Sequence, residues 1–282
     1  TWGANYYGRL GDGTTEIGND KYRSTPICIS ELDNDLKGKS IEDLKTGHDA
    51  IIAIDNEGKL YTWGANYYGR LGDGTTGSLS SSLDDVDDEY RDTPLCISDL
   101  ENDLKGKKIV EINSGSTLIA RDEEGKVYTW GYNYNGELGD GMTGVGYRNF
   151  RAIPMCISDL ENDLKGKKIV EIHSDNAIIA RDVEGKIYTW GENYEGQLGN
   201  GTTKSSNIPI CISDLENDLK GKKIVEINSD RTIIARDEEG KIYTWGENYY
   251  GQLGNGTMES SSIPVCISDL ENDLKGKKIV EI

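Results

Sequence analysis

Thr232–Gly246 reads TIIARDEEGKIYTWG, and this stretch decides the fold. Two apolar runs meet at Glu238-Glu239-Gly240, where a glycine able to take positive φ closes a tight turn. The pattern predicts a β-hairpin. Ile233, Ile234 and Ala235 are consecutive apolar residues, which predicts a strand covered on both faces. Upstream, KKIVEI (222–227) is a short β-branched run and reads as another strand. Downstream, ENYYGQLGNGT (247–257) is a glycine-punctuated loop, and IPVCIS (263–268) reads as a fourth strand with proline at its start. SDLEND then sets Ser268 and Glu271 at capping-box spacing, with Gly276 as a stop, predicting one or two helical turns between units.

The same unit recurs along the chain. The tryptophan of TWG falls at Trp2, Trp63, Trp130, Trp190 and Trp245, and LENDLKGKKIVEI occurs unchanged at 100–112, 160–172, 215–227 and 270–282. A looser copy, LDNDLKGKSIEDL, occupies 32–44. Four antiparallel strands per repeat make a propeller blade, whereas solenoids need shorter periods and helical repeats need a different apolar spacing. The expected class is all-β: a β-propeller arc of about four full blades plus partial ones, within a single repeat domain over 1–282. The chain starts without Met, inside a third strand, and stops after a first strand. Both ends would leave unpaired edges, so a fragment of a longer protein is expected.

Composition narrows the partners. Fifty acidic against 31 basic residues give a net charge of -19, and such a surface repels nucleic acid and acidic membranes. No apolar run approaches the ~18 residues of a membrane helix.

The motif GKIYTWGENYYGQLGNGT, followed by proline, a short strand and KKIVEI, resembles the regulator-of-chromosome-condensation repeat over the whole chain. The resemblance implies seven-bladed propellers and protein–protein binding. The family includes a chromatin-bound exchange factor for a small GTPase, parts of ubiquitin ligases, bacterial effectors and a secreted bacterial inhibitor. One departure is visible: the second strands begin TGHDAII, NSGSTLI, HSDNAII and NSDRTII, with Ala or Thr where the family usually has His.

Other motifs read as structural. Cys28, Cys96, Cys156, Cys211 and Cys266 occupy one place per repeat, too far apart for disulfides and without C-x-x-C spacing. Free, buried thiols are expected, leaning towards a reducing, cytoplasmic compartment. GDGTTG (72–77) and GDGMTG (139–144) match a dinucleotide fingerprint, but no βαβ unit surrounds them. His48 and His173 read as isolated surface or loop residues, and the acidic run at 84–89 as a solvated loop. Tyr6, Tyr7, Tyr67, Tyr68, Tyr134, Tyr194, Tyr249 and Tyr250 follow the tryptophans, and regular placement suggests that each loop packs on its own blade. No catalytic residues, cofactor or metal are expected.

The reading is a non-catalytic protein-interaction scaffold that binds another protein through variable loops. A small-GTPase regulator and an extracellular inhibitory or adhesive propeller are the alternatives. The three longest loops bring together Tyr22, Tyr90, Tyr147, Arg148 and Phe150, residue types favoured at hot spots. The repeats also serve as their own alignment. Asp12, Asp73 and Asp140 accompany Arg23, Arg91 and Arg151, whereas Asn200 and Asn255 accompany Ser206 and Ser261. Three Asp–Arg contacts closing the variable loops are expected, with Arg148 left free.

Overall fold

The computed structural model describes residues 1–14, 22–47, 49–76, 90–115, 117–142, 149–175 and 177–282. They form four four-stranded antiparallel sheets and one two-stranded sheet. The chain divides into two compact units, Thr1–Tyr134 with Gly144–Ile157, and Asn135–Thr143 with Ser158–Ile282. His48, the acidic run 84–89, Tyr147 and Arg148 lie outside the described residues.

In the first unit, β1 (Gly3–Ala4) pairs with β2 (Tyr22–Arg23). Next come β3 (Ile41–Gly47), β4 (Ala50–Asp55), β5 (Leu60–Ala65) and β6 (Tyr90–Cys96), hydrogen-bonded in that order. β7 (Ile109–Ser114), β8 (Thr117–Asp122), β9 (Val127–Tyr132) and β10 (Phe150–Cys156) repeat the pattern. The second unit holds two more sheets. One is β11 (Ile169–Ser174), β12 (Ala177–Asp182), β13 (Ile187–Gly191) and β14 (Ser206–Cys211). The other is β15 (Ile224–Ser229), β16 (Thr232–Asp237), β17 (Ile242–Gly246) and β18 (Ser261–Cys266).

The turn between the second and third strands of each four-stranded sheet is held by an aspartate at its start, Asp55, Asp122, Asp182 or Asp237. Asp237 Oδ1 accepts the N–H groups of Glu239 and Lys241, while Oδ2 accepts the Tyr243 hydroxyl at 2.8 Å. Asp182 does the same with Glu184, Lys186 and Tyr188. Burial and the aspartate both push the Tyr243 hydroxyl pKa well above its usual range, so it stays a proton donor to the carboxylate. Successive repeats are stitched by tryptophan. The indole N–H of Trp63 donates to the Arg9 carbonyl, Trp130 to Arg70, Trp190 to Glu137 and Trp245 to Gln197, all at 2.8–2.9 Å. These four rings are fully buried, whereas Trp2 is 67% exposed. A second stitch runs from the linkers: Asp35, Asp103, Asp163 and Asp218 each accept the backbone N–H of the next repeat's cysteine at 2.8 Å.

The linker differs from the sequence expectation. A single 3-10 turn, Ile267–Asp269, follows β18, with Cys266 and not Ser268 at its N-cap. Ser268 Oγ instead accepts the Ile242 N–H at 2.9 Å, and Glu271 pairs with Lys275 four residues on. The hydroxyl serves the sheet because a buried strand N–H needs a partner more than an exposed turn does. The fourth strand starts at Ser261, two residues before the expected position, and Pro264 sits inside it, buried. The register shifts there, between Thr244 and Gly246 on the partner strand, so the outermost strand takes proline at a bulge. Ile233 and Ala235 are buried but Ile234 is half-buried, unlike its fully buried counterparts Ile119 and Ile179.

The cysteines need one correction. All five are free, and Cys96, Cys156, Cys211 and Cys266 are buried, but Cys28 is exposed. Burial raises the thiols of Cys96 and Cys211 to about 11, with Asp99 and Asp214 adding to the effect. They are protonated near neutral pH and poor nucleophiles. His173 lies on β11, half-buried and 3.0 Å from Glu171, so it is neither a surface nor a loop residue.

Candidate binding surface

The loop after each tryptophan is anchored by a buried asparagine. Asn66 Oδ1 accepts the Leu71 N–H at 3.0 Å and its amide donates to Thr75; Asn193 Oδ1 accepts Leu198 and its amide reaches Thr202. With its base held, the loop turns tightly at Gly69, whose φ is +69°. A methyl there would stand 2.5 Å from the Ala152 Cα, so glycine is required by close approach as well as by φ.

The tyrosines on these loops do not pack on their own blades. Tyr6, Tyr134, Tyr194, Tyr249 and Tyr250 are exposed, and several reach the neighbouring loop. Tyr7 meets Tyr67 edge-on, ring centroids 5.4 Å apart. Tyr68 lies 4.9 Å from Tyr132 and 6.4 Å from Phe150, and Tyr132 stacks on Tyr134 at 6.2 Å. In the second unit the Tyr194 hydroxyl donates to Asn135 Oδ1 at 2.9 Å, and Tyr249 donates to Glu195 Oε1 at 2.6 Å. Apart from Tyr132–Tyr134, these links join residues more than 50 positions apart, which is why no local pattern announced them.

Of the five residues singled out as partner contacts, Tyr22, Tyr90 and Phe150 are among the described residues. Tyr22, Tyr90 and Phe150 share one register position, opposite Ala4, Ala65 and Tyr132 on the tryptophan strands. Tyr22 is 66% exposed, and Tyr90 and Phe150 are half-buried.

Next to them stand the arginines, each opposite the glycine of TWG. Arg23 Nη2 donates to Asp12 Oδ2 at 2.9 Å, and Arg91 Nη2 to Asp73 Oδ2 at 3.1 Å. The other oxygen of Asp12 accepts the Thr14 backbone N–H and hydroxyl. Burial pushes the Asp12 carboxyl up, but these hydrogen bonds and the Arg23 charge outweigh it and leave its pKa below the usual value. Asp140 Oδ1 accepts the Met142 N–H, and Arg151 lies opposite Gly131. In the second unit Ser206 bonds back to Ile208, and Asn200 accepts from Thr202.

Two features escaped the sequence reading. Arg70 is buried, with Nη1 3.1 Å from the Gly47 carbonyl, and burial lowers its pKa to about 10. Arg9 pairs with Asp49 at 2.5 Å and lies over the Tyr6 ring, 5.7 Å from its centroid. Their recurrence in the two ANYYGR loops was the available signal.

Comparison with known proteins agrees with this architecture. Human E3 ubiquitin-protein ligase HERC2 is 30% identical over 88% of this chain, which spans 4% of that protein. The ultraviolet-B receptor UVR8 of Arabidopsis thaliana is 30% identical over 96% of the chain, which spans 54% of the receptor. Among solved structures, human WBSCR16 superposes with a TM-score of 0.67 at 19% identity, covering 93% of this chain and 60% of that one. Prp20p from Saccharomyces cerevisiae gives 0.64 at 18% identity, covering 90% and 55%. At such identities these structures show the fold, an RCC1-type β-propeller. The regulator of chromosome condensation (RCC1) repeat matches residues 57–120, 124–174, 184–229 and 239–282, most of the chain. This protein therefore belongs to the RCC1-repeat family.

Proposed function

We propose that the chain is a non-catalytic protein-binding module whose first unit meets its partner through the variable loops. Tyr22, Tyr90, Tyr147, Arg148 and Phe150 are the contact residues. The observation that carries the reading is the run of touching aromatics Tyr68, Tyr132, Tyr134 and Phe150, of which Tyr134 is exposed and the others half-buried, beside the fully buried Tyr128 and Trp130 of β9. Aromatic residues exposed on a rigid base supply contact area at small entropic cost, and hot spots are rich in Tyr and Arg. The non-catalytic reading draws support from the buried, protonated thiols and from the tyrosines and aspartates that hold the turns. Prp20p, which shares the fold, is described by its binding properties to Gsp1p and histones, a precedent for protein partners.

The test is affinity capture with the wild-type chain and with Tyr147→Ala/Phe150→Ala, both checked for native circular dichroism. Loss of the same captured protein from the folded variant supports the reading. Retention moves the interface elsewhere.

A further inference from the structure

Three asparagines in the chain precede glycine: Asn135, Asn200 and Asn255. The last two lie in the LGNGT stretches at 198–202 and 253–257, and their side chains are held alike. Asn255 Oδ1 accepts the Thr257 backbone N–H at 3.0 Å and the Thr257 hydroxyl at 2.8 Å. Asn200 Oδ1 accepts the same two groups of Thr202 at 3.0 and 2.8 Å, with the Asn193 amide farther off at 3.4 Å. A bond from Oδ1 to the N–H two residues on folds the carboxamide back over the intervening peptide, so its carbon faces the glycine nitrogen. Two donors on one carbonyl oxygen also draw electrons from that carbon and stabilise the negative charge that an attack would place on the oxygen. Gly201 and Gly256 are exposed and carry no side chain to obstruct the approach.

Asn135 has the same dipeptide without this geometry. Its Oδ1 accepts the Tyr194 hydroxyl, and its amide donates to Glu192. Gly136 is buried, and a Cβ there would stand 2.5 Å from the Asn207 Cα, so the backbone has no room to close into a ring. The first unit shows what the turn tolerates. Asp12 and Asp73 stand at the asparagine positions and make the same bonds, accepting the Thr14 and Thr75 N–H at 3.1 and 3.0 Å and both hydroxyls at 2.6 Å. Aspartate therefore fits this turn. Its second oxygen is held by Arg23 or Arg91, whereas Ser206 and Ser261 take those register positions in the second unit and donate to the Ile208 and Ile263 carbonyls.

We propose that Asn255 and Asn200 are sites of spontaneous deamidation, which converts these turns of the second unit to the aspartate chemistry of the first. The Gly256 nitrogen attacks Asn255 Cγ; the N–Cγ bond forms, the Cγ–Nδ2 bond breaks, and the Gly256 proton leaves with Nδ2 as ammonia. Water then opens the cyclic imide, at Cγ to give aspartate or at the Asn255 backbone carbonyl to give isoaspartate. No oxidant or reductant enters. The Gly201 N–H donates to the Ser262 carbonyl at 2.8 Å and must leave it before attack, whereas the Gly256 N–H has no partner among the described residues. Asn255 is therefore the faster site. Each event adds a negative charge to a variable loop where no arginine stands opposite, and the aspartate product changes what that loop attracts while keeping the turn.

Incubation of the purified chain near neutral pH, followed by tandem mass spectrometry of its proteolytic fragments, reads the three sites side by side. Asn255 should convert first, Asn200 after it, and Asn135 last, at least about tenfold slower than Asn255 because its groups are not aligned for attack. Thr257→Val keeps the backbone donor but removes the hydroxyl, and should slow Asn255 by about threefold to tenfold at this exposed site. Thr257→Ser, which restores the hydroxyl, should restore the rate. Asn255→Asp should unfold at the wild-type urea midpoint. In the guanidinium-unfolded chain the three rates should converge to within about twofold, because alignment is lost there. Any other order of the three sites in the folded chain would overturn the proposal. So would an unchanged or faster rate in Thr257→Val, a lower midpoint for Asn255→Asp, or the same spread of rates in the unfolded chain.

Discussion

The loop after the tryptophan is built in two ways, and one side chain accounts for the difference. In the second unit, Gln197 accepts the backbone N–H of Glu195, and Gln252 that of Tyr250, both at 2.8 Å. In the first unit the equivalent residues are Arg9 and Arg70, and a guanidinium has no acceptor to offer. There Tyr7 and Tyr68 swing to φ +57° and +60°, inside the short 3-10 turns Tyr6–Gly8 and Tyr67–Gly69. For a residue with a bulky side chain this conformation costs about 1–2 kcal/mol. The change re-aims the tyrosine ring, so Tyr68 meets Tyr132 and Phe150, and it frees the arginine to reach Asp49 or Gly47. The residue two positions on thus goes with the backbone conformation of the loop and with where its tyrosine ring points.

The largest effect should be one that ignores this difference. Gly69→Ala and Gly196→Ala both place a methyl near 2.5 Å from a neighbouring backbone carbon, at positive φ. Each should lose roughly 2–4 kcal/mol in urea denaturation. A much milder loss at Gly69 would mean that the two loop types also dock differently.

Gln252→Arg should convert the second kind of loop into the first. With its acceptor gone, Tyr250 moves to positive φ, visible in its HN–Hα coupling constant, at a cost of about 1–2 kcal/mol. An unchanged coupling would break the link between acceptor and backbone conformation.

The smallest effect belongs to Asp175. Its folded pKa of about 6 lies above that of an unfolded aspartate, so the native state holds the extra proton between about pH 4 and 6. Stability falls as the pH rises through that window and stays lower above it. Asp175→Asn should therefore gain about 1 kcal/mol at pH 7.5, after screening at a half-exposed site, and nothing near pH 4. A gain that persists at pH 4 would point to packing instead.

The strands were legible in the sequence because alternating and β-branched runs recur with glycine turns, as at Thr232–Gly246. The aspartate that holds each turn was visible too, since Asp237 precedes Tyr243 by the same step as Asp182 precedes Tyr188. It went unread because acidic residues in a strongly acidic chain look like solvated surface. The capping box misled for a physical reason: Ser268 has a choice of partners, and the buried Ile242 N–H competes better than an exposed turn. The candidate surface was half legible. Exposure of Tyr22 and the proximity of Asp12 to Arg23 follow local patterns, but the Tyr249–Glu195 and Tyr68–Tyr132 links join residues far apart in the chain. Composition cannot show which distant loops become neighbours.

The unchanged copies of LENDLKGKKIVEI have a consequence for how the molecule assembles. Because the strands hardly differ between repeats, side chains alone cannot tell β9 from β13 as the partner of β8. Discrimination falls to loop closure: turns of a few residues favour the hairpin within a repeat, and closure entropy rises slowly with length. The outermost strands return only after the long variable loops, so β6 and β10 are the last to be claimed by their own sheets. Exchange of outer strands between repeats is the misassembly this chain is most exposed to, and loop length is its safeguard.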